Sequence, residues 1–306
     1  MALRVSHEPE AASSHAASGA AEKEDGVILY HAGAWSGSDV ATFWAGGGKS
    51  GLLAYSERTG AAFKAWFQPG RPAGCRVFMD SGAFPVFMGK ATVDLDEYCL
   101  FLQTHAGQVT TYAALDVIGD PVASAANVKR MQSAGLDPVP TYHKGSPWSE
   151  LDRLAGEHAY VAIGGLAADV DNPGKRATMH DHQEAARIFL DQVFHRLARR
   201  WPVKIHAFGA VGLPILERYP LYSADSSSAI RGAGFGRVMV FRDGQAVLNY
   251  RNWDEPMVRR LLYDDRICGT SGASRSARIA VNLENAGRLE RHVTDLWAQR
   301  GVRWDS

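Results

Sequence analysis

Three aspartates stand where short apolar runs end, a position from which a carboxylate can do chemistry. RVFMDSGAFPVFMG (76–89) runs into Asp80, followed by Ser81, Gly82 and Phe84. YAALDVIGDP (112–121) ends a second run at Asp116, and LYSADSSS (221–228) ends a third at Asp225. YVAIGGLA (160–167) ends another on Gly164 and Gly165, where the absence of side chains leaves backbone amides and carbonyls accessible. Three carboxylates at one site can divide labour as a nucleophile, a general acid or base, and an acceptor for the donor edge of a base. Gly82 permits close approach of a ligand to the backbone, and Phe84 offers an aromatic face to a flat heterocycle. His143 and His206, at neighbouring run ends, are placed to meet phosphate or sugar.

These residues need a scaffold that gathers strand ends. From Val27 onward, eight nearly continuous apolar runs suit strands covered on both faces. They are 27–31, 52–56, 77–80, 112–116, 139–143, 161–165, 205–209 and 222–226. Amphipathic stretches at 95–107, 121–135 and 183–200 carry helix start and stop signals: Pro121, terminal Gly107 and Gly135, and a basic last turn. Strands alternating with helices predict an α/β fold, and eight such strands in roughly 200 residues predict a (β/α)8 TIM barrel. Most runs stop on a polar residue: His31, Ser56, Asp80, Asp116, His143 and Asp225. In a barrel those ends converge on one mouth. Beyond Ser228, residues 234–250 read as a hairpin about Asp243-Gly244, and 254–265 and 283–300 as helices. The predicted organisation is a disordered tail over 1–25, rich in Ala, Ser and Glu, a catalytic barrel over 26–230, and a C-terminal hairpin with helices over 231–306 packed on it.

Composition narrows the function. Lys plus Arg and Asp plus Glu both number 33, so nucleic-acid contact must come from a local patch. HRLARR (195–200) with Lys204 is one such patch, and Arg259, Arg260, Arg275 and Arg278 supply others. The three cysteines, Cys75, Cys99 and Cys268, form no CxxC pair, which excludes a disulfide scaffold and fits a reducing cytoplasm. No apolar run reaches the roughly 18–20 residues of a membrane span. AGGGKSG (45–51) lacks the first glycine of a phosphate loop, has Phe43 in its place, and precedes a strand instead of following one. His180 and His182, two apart, do not share a helix face and make a poor metal pair. SADSSS (223–228) lacks the hydrolase GxSxG elbow.

From about Val77 to Ser228 the chain resembles the queuine/archaeosine-type guanine transglycosylases, (β/α)8 enzymes that exchange a guanine in a polynucleotide for a 7-deazaguanine. DSGAFPVF resembles that family's Asp-Ser-Gly-Gly-Phe-Gln-Val-Phe stretch, and AIGGLA its Ile-Gly-Gly-Leu-Ala motif. LDVIGDP and YSADSSS stand where the family has its base-reading and nucleophilic aspartates. Pro85 replaces the family's Gln, TYHKG (141–145) its Val-Gln-Gly loop, and Ser-Ser-Ser-Ala its Leu-Pro-Thr-Arg run; only Cys268 remains for a zinc cluster. These departures are similar to the zinc-less branch that inserts 7-deazaguanines into DNA.

The resemblance implies that Asp225 attacks C1′ of the target nucleotide and that Asp80 protonates the departing guanine. Asp116 then reads the base edge. Ser81, Gly82, Gly164, Gly165 and Phe84 line the base site, with His143 and His206 near phosphate or sugar. It implies a polynucleotide substrate, DNA before tRNA, and a free 7-deazaguanine such as preQ0 as co-substrate, with no cofactor and no metal. The neutral charge adds the expectation of a helicase-like or other loading partner protein. The alternatives are a tRNA-directed enzyme without zinc and a non-catalytic nucleic-acid-binding subunit.

Overall fold

Runs rich in Val, Ile, Leu and aromatic residues form the strands, because such side chains fill both faces of a covered sheet. A computed structural model of the chain describes residues 26–34, 36–166, 179–209, 212–242, 244–250 and 274–304. Its strands are β1 (Ile28–His31), β2 (Ser50–Ala54), β3 (Arg76–Asp80), β4 (Thr111–Tyr112), β5 (Thr141–His143), β6 (Tyr160–Gly164), β7 (Lys204–Ala207) and β8 (Ser223–Ser226). Each overlaps one of the eight expected runs. They form one curled, all-parallel sheet in the order β4-β3-β2-β1-β8-β7-β6-β5.

The helices are α1 (Gly37–Ala45), α2 (Ala61–Ala65), α3 (Ala83–Phe87), α4 (Leu95–Thr104), α5 (Pro121–Ser133), α6 (Trp148–Glu157), α7 (Met179–Leu197), α8 (Leu213–Arg218), α9 (Ser228–Gly234) and α10 (Arg275–Gln299). Side-chain caps fix several starts. Asp94 accepts from the Asp96 and Glu97 amides, and Asp120 from those of Val122 and Ala123. Helices α4, α5 and α7 match expectation, with ends shifted by up to four residues. Helices α2, α3, α8 and α9 are five to seven residues long, too short to show a period.

Alternation along the strands sorts the core into layers. Val27, Leu29, Val161, Ile163, Ile205 and Ala224 face one helical layer, and Val77 and Met79 another. Ile28, Tyr30, Leu52, Phe78 and Ala113 fill the enclosed face of the sheet. Asp80, two residues past Phe78, therefore points toward that same face.

Closure departs from the expected barrel. Strands β4 and β5 share no ladder; one bridge joins Ala113 to Val139, with the Ala114 amide donating to Val139 O and the Val139 amide to Tyr112 O. The strand stops early because side chains take the next backbone groups: Asn127 Nδ2 donates to Leu115 O, and the Val117 amide donates to Ser124 Oγ.

The seam between β1 and β2 is narrow as well, with His31 and Gly51 its sole paired residues. Here α10 substitutes for a strand: Leu29 N–H donates to Glu290 Oε2 at 2.8 Å and Val27 N–H to Thr294 Oγ1 at 3.0 Å. One to two helical turns before Glu290, Asn282 and Asn285 accept from the Met239 and Phe241 amides of β9 (Arg237–Arg242). That strand pairs antiparallel with β10 (Gln245–Tyr250), the expected hairpin. Asp243, expected at its turn, the tail 1–25 and the expected helix 254–265 lie outside the described residues. Helix α10 begins at Arg275 and includes most of the expected 283–300 segment. The glycine-rich segment after α1 is a helix stop, its Gly46, Gly47 and Gly48 amides bonded to Thr42, Trp44 and Phe43 carbonyls. Among the described residues no helix is long and apolar enough to cross a membrane.

Candidate active site

Parallel strands place all their C-terminal ends on one side, and the expected site residues gather there. Asp80 ends β3, and its Oδ1 accepts the Gly82 N–H at 3.0 Å. Gly82 holds φ at 83°, and a Cβ on it would lie 2.6 Å from Ser56 Oγ, so glycine is required there on both counts. Burial, then the charges of Asp116 and Asp225, push the Asp80 carboxyl up from 3.8 to about 7, against the opposing Gly82 hydrogen bond. The phenol of Tyr98, held by a hydrogen bond to Ala113 O, lies behind it.

Asp116 follows the β4 segment and is 9 % exposed. Its Oδ2 meets His143 Nε2 in a short contact, and Ser81 Oγ lies 3.5 Å from Oδ1. His143 ends β5 beside Gly164 of β6. A Cβ on Gly164 would lie 2.6 Å from His143 Nδ1, so the first glycine of the pair makes room for this ring. Its carbonyl accepts from Lys144 N at 3.2 Å, while Gly165 turns the chain at φ 81°.

Asp225, on β8, is 8 % exposed and accepts the Gly209 N–H at 2.7 Å. His206 of β7 is fully buried and stacks on Phe78 with ring centroids 4.4 Å apart. It therefore lies under Asp225 and is shut off from solvent, unlike the open contact expected from sequence. Phe84, on α3, is half-exposed and presents its ring at the rim.

Sequence reasoning left out His31 and Gly209 as site residues. His31 ends β1, whose Tyr30 pairs with Asp225 of β8; burial pulls its imidazole from 6.5 down to about 4 although Asp225 opposes this. Its position at a run end was the available signal. The HRLARR segment precedes β7 and Lys204 begins it, at the opposite end of the sheet from the carboxylates, and Arg196 there pairs with Asp152. Arg275 is paired with Asp39, and Arg278 donates to Ala233 O. Arg259, Arg260 and Cys268 fall outside the described residues. His180 and His182 both stand on α7.

Fold and site together define an α/β protein with an eight-stranded parallel sheet whose strand ends hold three acidic side chains beside three imidazoles, those of His31, His143 and His206. Compared with known proteins, the chain matches no family model and no curated sequence.

Proposed function

We propose that the protein is a base-exchange transglycosylase built on a TIM-like (β/α)8 framework, replacing a guanine in DNA with a 7-deazaguanine through a glycosyl-aspartate. The observation that carries this reading is the Asp80 carboxyl. Raised to about 7 beside two other carboxyl groups, it can hold a proton near neutral pH and also give it up.

In the first displacement Asp225 attacks C1′, the bond from C1′ to the guanine nitrogen breaks, and Asp80 donates its proton to that nitrogen. In the second, the incoming base attacks C1′, Asp225 departs, and Asp80 takes the proton the base releases. This is the two-step logic of retaining glycosidases. Asp116, steadied by His143 and Ser81, accepts from the donor edge of the base. Phe84 stacks on it at the rim. A paired base cannot reach such a site, so the target nucleotide is flipped out or single-stranded. The basic segment 195–200 lies at the far end of the sheet, which favours help from a loading partner.

The test is denaturing electrophoresis of the protein with a guanine-containing DNA oligonucleotide and a labelled 7-deazaguanine, with tRNA in parallel. A covalent protein–DNA band and label in DNA are expected, and Asp225→Asn abolishes both. A band that survives Asp225→Asn, or an adduct on Asp80, reverses the two roles. Label in tRNA alone overturns the DNA assignment, and no adduct or label with either overturns the activity.

A further inference from the structure

A line of polar groups, fully buried at His206 and Ser223 and part-buried at Tyr160, runs behind Asp225 across three adjacent strands. The Tyr160 hydroxyl, from β6, lies 2.6 Å from Ser223 Oγ of β8. Ser223 Oγ lies 2.6 Å from His206 Nδ1 of β7. The other ring nitrogen of His206, Nε2, is buried without a hydrogen-bond partner and faces Asp225 Oδ1 at 3.5 Å. Phe78 against its face and Phe208 against its edge, each 4.4 Å between centroids, prevent the ring from turning away.

The protons along this line can be ordered by counting donors. Ser223 has one hydrogen to give, so it donates to one neighbour and accepts from the other. Burial holds the Tyr160 phenol well above its ordinary range, so its oxygen keeps its hydrogen. Ser223 is the sole hydrogen-bond partner of that hydroxyl among the described residues. With Tyr160 donating to Ser223, and Ser223 donating to Nδ1, both hydroxyl hydrogens have acceptors and the ring carries its own proton on Nε2, facing Asp225. The reverse order would leave the phenol hydrogen without a protein acceptor and turn a bare nitrogen lone pair toward a carboxylate, the latter costly because Nε2 is buried.

We propose that Tyr160, Ser223 and His206 form a proton-ordering chain that presents the His206 Nε2–H to Asp225, making His206 a positioning residue for that carboxylate. This rests on reading Asp225 as the nucleophile. Its effect falls on the second displacement. There the bond from C1′ to the base nitrogen forms, the bond from C1′ to the Asp225 oxygen breaks, and the electron pair returns to the carboxylate. The proton from the base goes to Asp80. The Gly209 N–H and the His206 Nε2–H are the two donors placed to receive the returning charge.

The experiment has two arms on the full chain. Long-range proton–nitrogen NMR of the ¹⁵N-labelled protein reads the His206 tautomer, assigned by its disappearance in His206→Asn. A bare Nδ1 and a protonated Nε2 are expected, with Nε2 shifting in Asp225→Asn and the preference lost in Ser223→Ala. In single-turnover kinetics with the DNA oligonucleotide, Ser223→Ala should slow adduct breakdown by the incoming base 10- to 100-fold. Affinity for that base should stay within 2-fold. A proton on Nδ1 in the wild type, or wild-type breakdown in Ser223→Ala, overturns the proposal. Absence of any adduct in the wild type overturns the reading of Asp225 instead, and the NMR arm then decides the chain by itself.

Discussion

Replacing Asp80 with Asn should stabilise the protein, and only above about pH 4. The unfolded chain ionises Asp80 near its ordinary 3.8, whereas the folded site holds the proton up to about 7. Across that interval the native state carries a proton that the unfolded state has lost. Native stability therefore falls as pH rises, and the loss is complete above pH 7. At 1.36 kcal/mol per pH unit the interval amounts to about 4 kcal/mol. Asp80 keeps some contact with solvent, so a gain of about 2–4 kcal/mol is expected for Asp80→Asn at pH 8. The amide oxygen can still accept the Gly82 N–H, so no new hydrogen-bond loss offsets the gain.

His31 runs in the opposite sense. Its imidazole falls from 6.5 to about 4 in the fold, so below pH 6.5 the unfolded chain gains a proton that the native state refuses. That costs about 3 kcal/mol by pH 4 on the same conversion. Between pH 4 and 6.5 the two slopes oppose one another and the wild type should be nearly flat from this source. Asp80→Asn should unmask the His31 slope, with stability rising toward pH 6.5. Urea denaturation from pH 4 to 8.5, extrapolated linearly, reads both effects. Stability–pH curves that run parallel for wild type and Asp80→Asn would refute the argument.

Other outcomes follow from the same geometry. Asp116→Ala removes the acceptor for His143 and for the base edge, and discrimination for guanine over adenine in the exchange assay should fall by about 1–3 kcal/mol. Unchanged selectivity would remove Asp116 from base reading. Gly164→Ala must displace the His143 ring, at a cost of roughly 1–3 kcal/mol in denaturant unfolding with the His143 ring resonances shifted. Wild-type stability and an unmoved ring would show that the site yields more easily than the close approach implies.

The strands and their polar ends were legible because each is a local signal: an apolar run followed by a residue that cannot stay in the core. Asp80, Asp116, His143 and Asp225 all emerged this way. Gly164 has a steric role that its local sequence did not announce. Its sequence neighbours invite a backbone-to-ligand reading, yet the space it leaves is taken by His143, 21 residues earlier in the chain. The burial of His206 was hidden because its cover is Phe78, on a strand that only the sheet order brings into line. The short β4–β5 seam depends on Asn127 and Ser124, ordinary helix residues until the strand beside them is placed.

Helix α10 has a consequence for how the chain is made. The Leu29 and Val27 amides wait for acceptors 261 and 267 residues further on. Ribosomes add roughly 5–20 residues per second, so this edge of β1 stays open for roughly 15–50 s of synthesis. During that time it can be satisfied only by water, by a chaperone or by the strand of another nascent chain. A chain released before Glu290 would keep that open edge permanently, and such edges template strand pairing between molecules. Messages cut short before the Glu290 codon should therefore yield aggregates in place of folded protein, and slowing translation just ahead of that codon should raise the demand for chaperones.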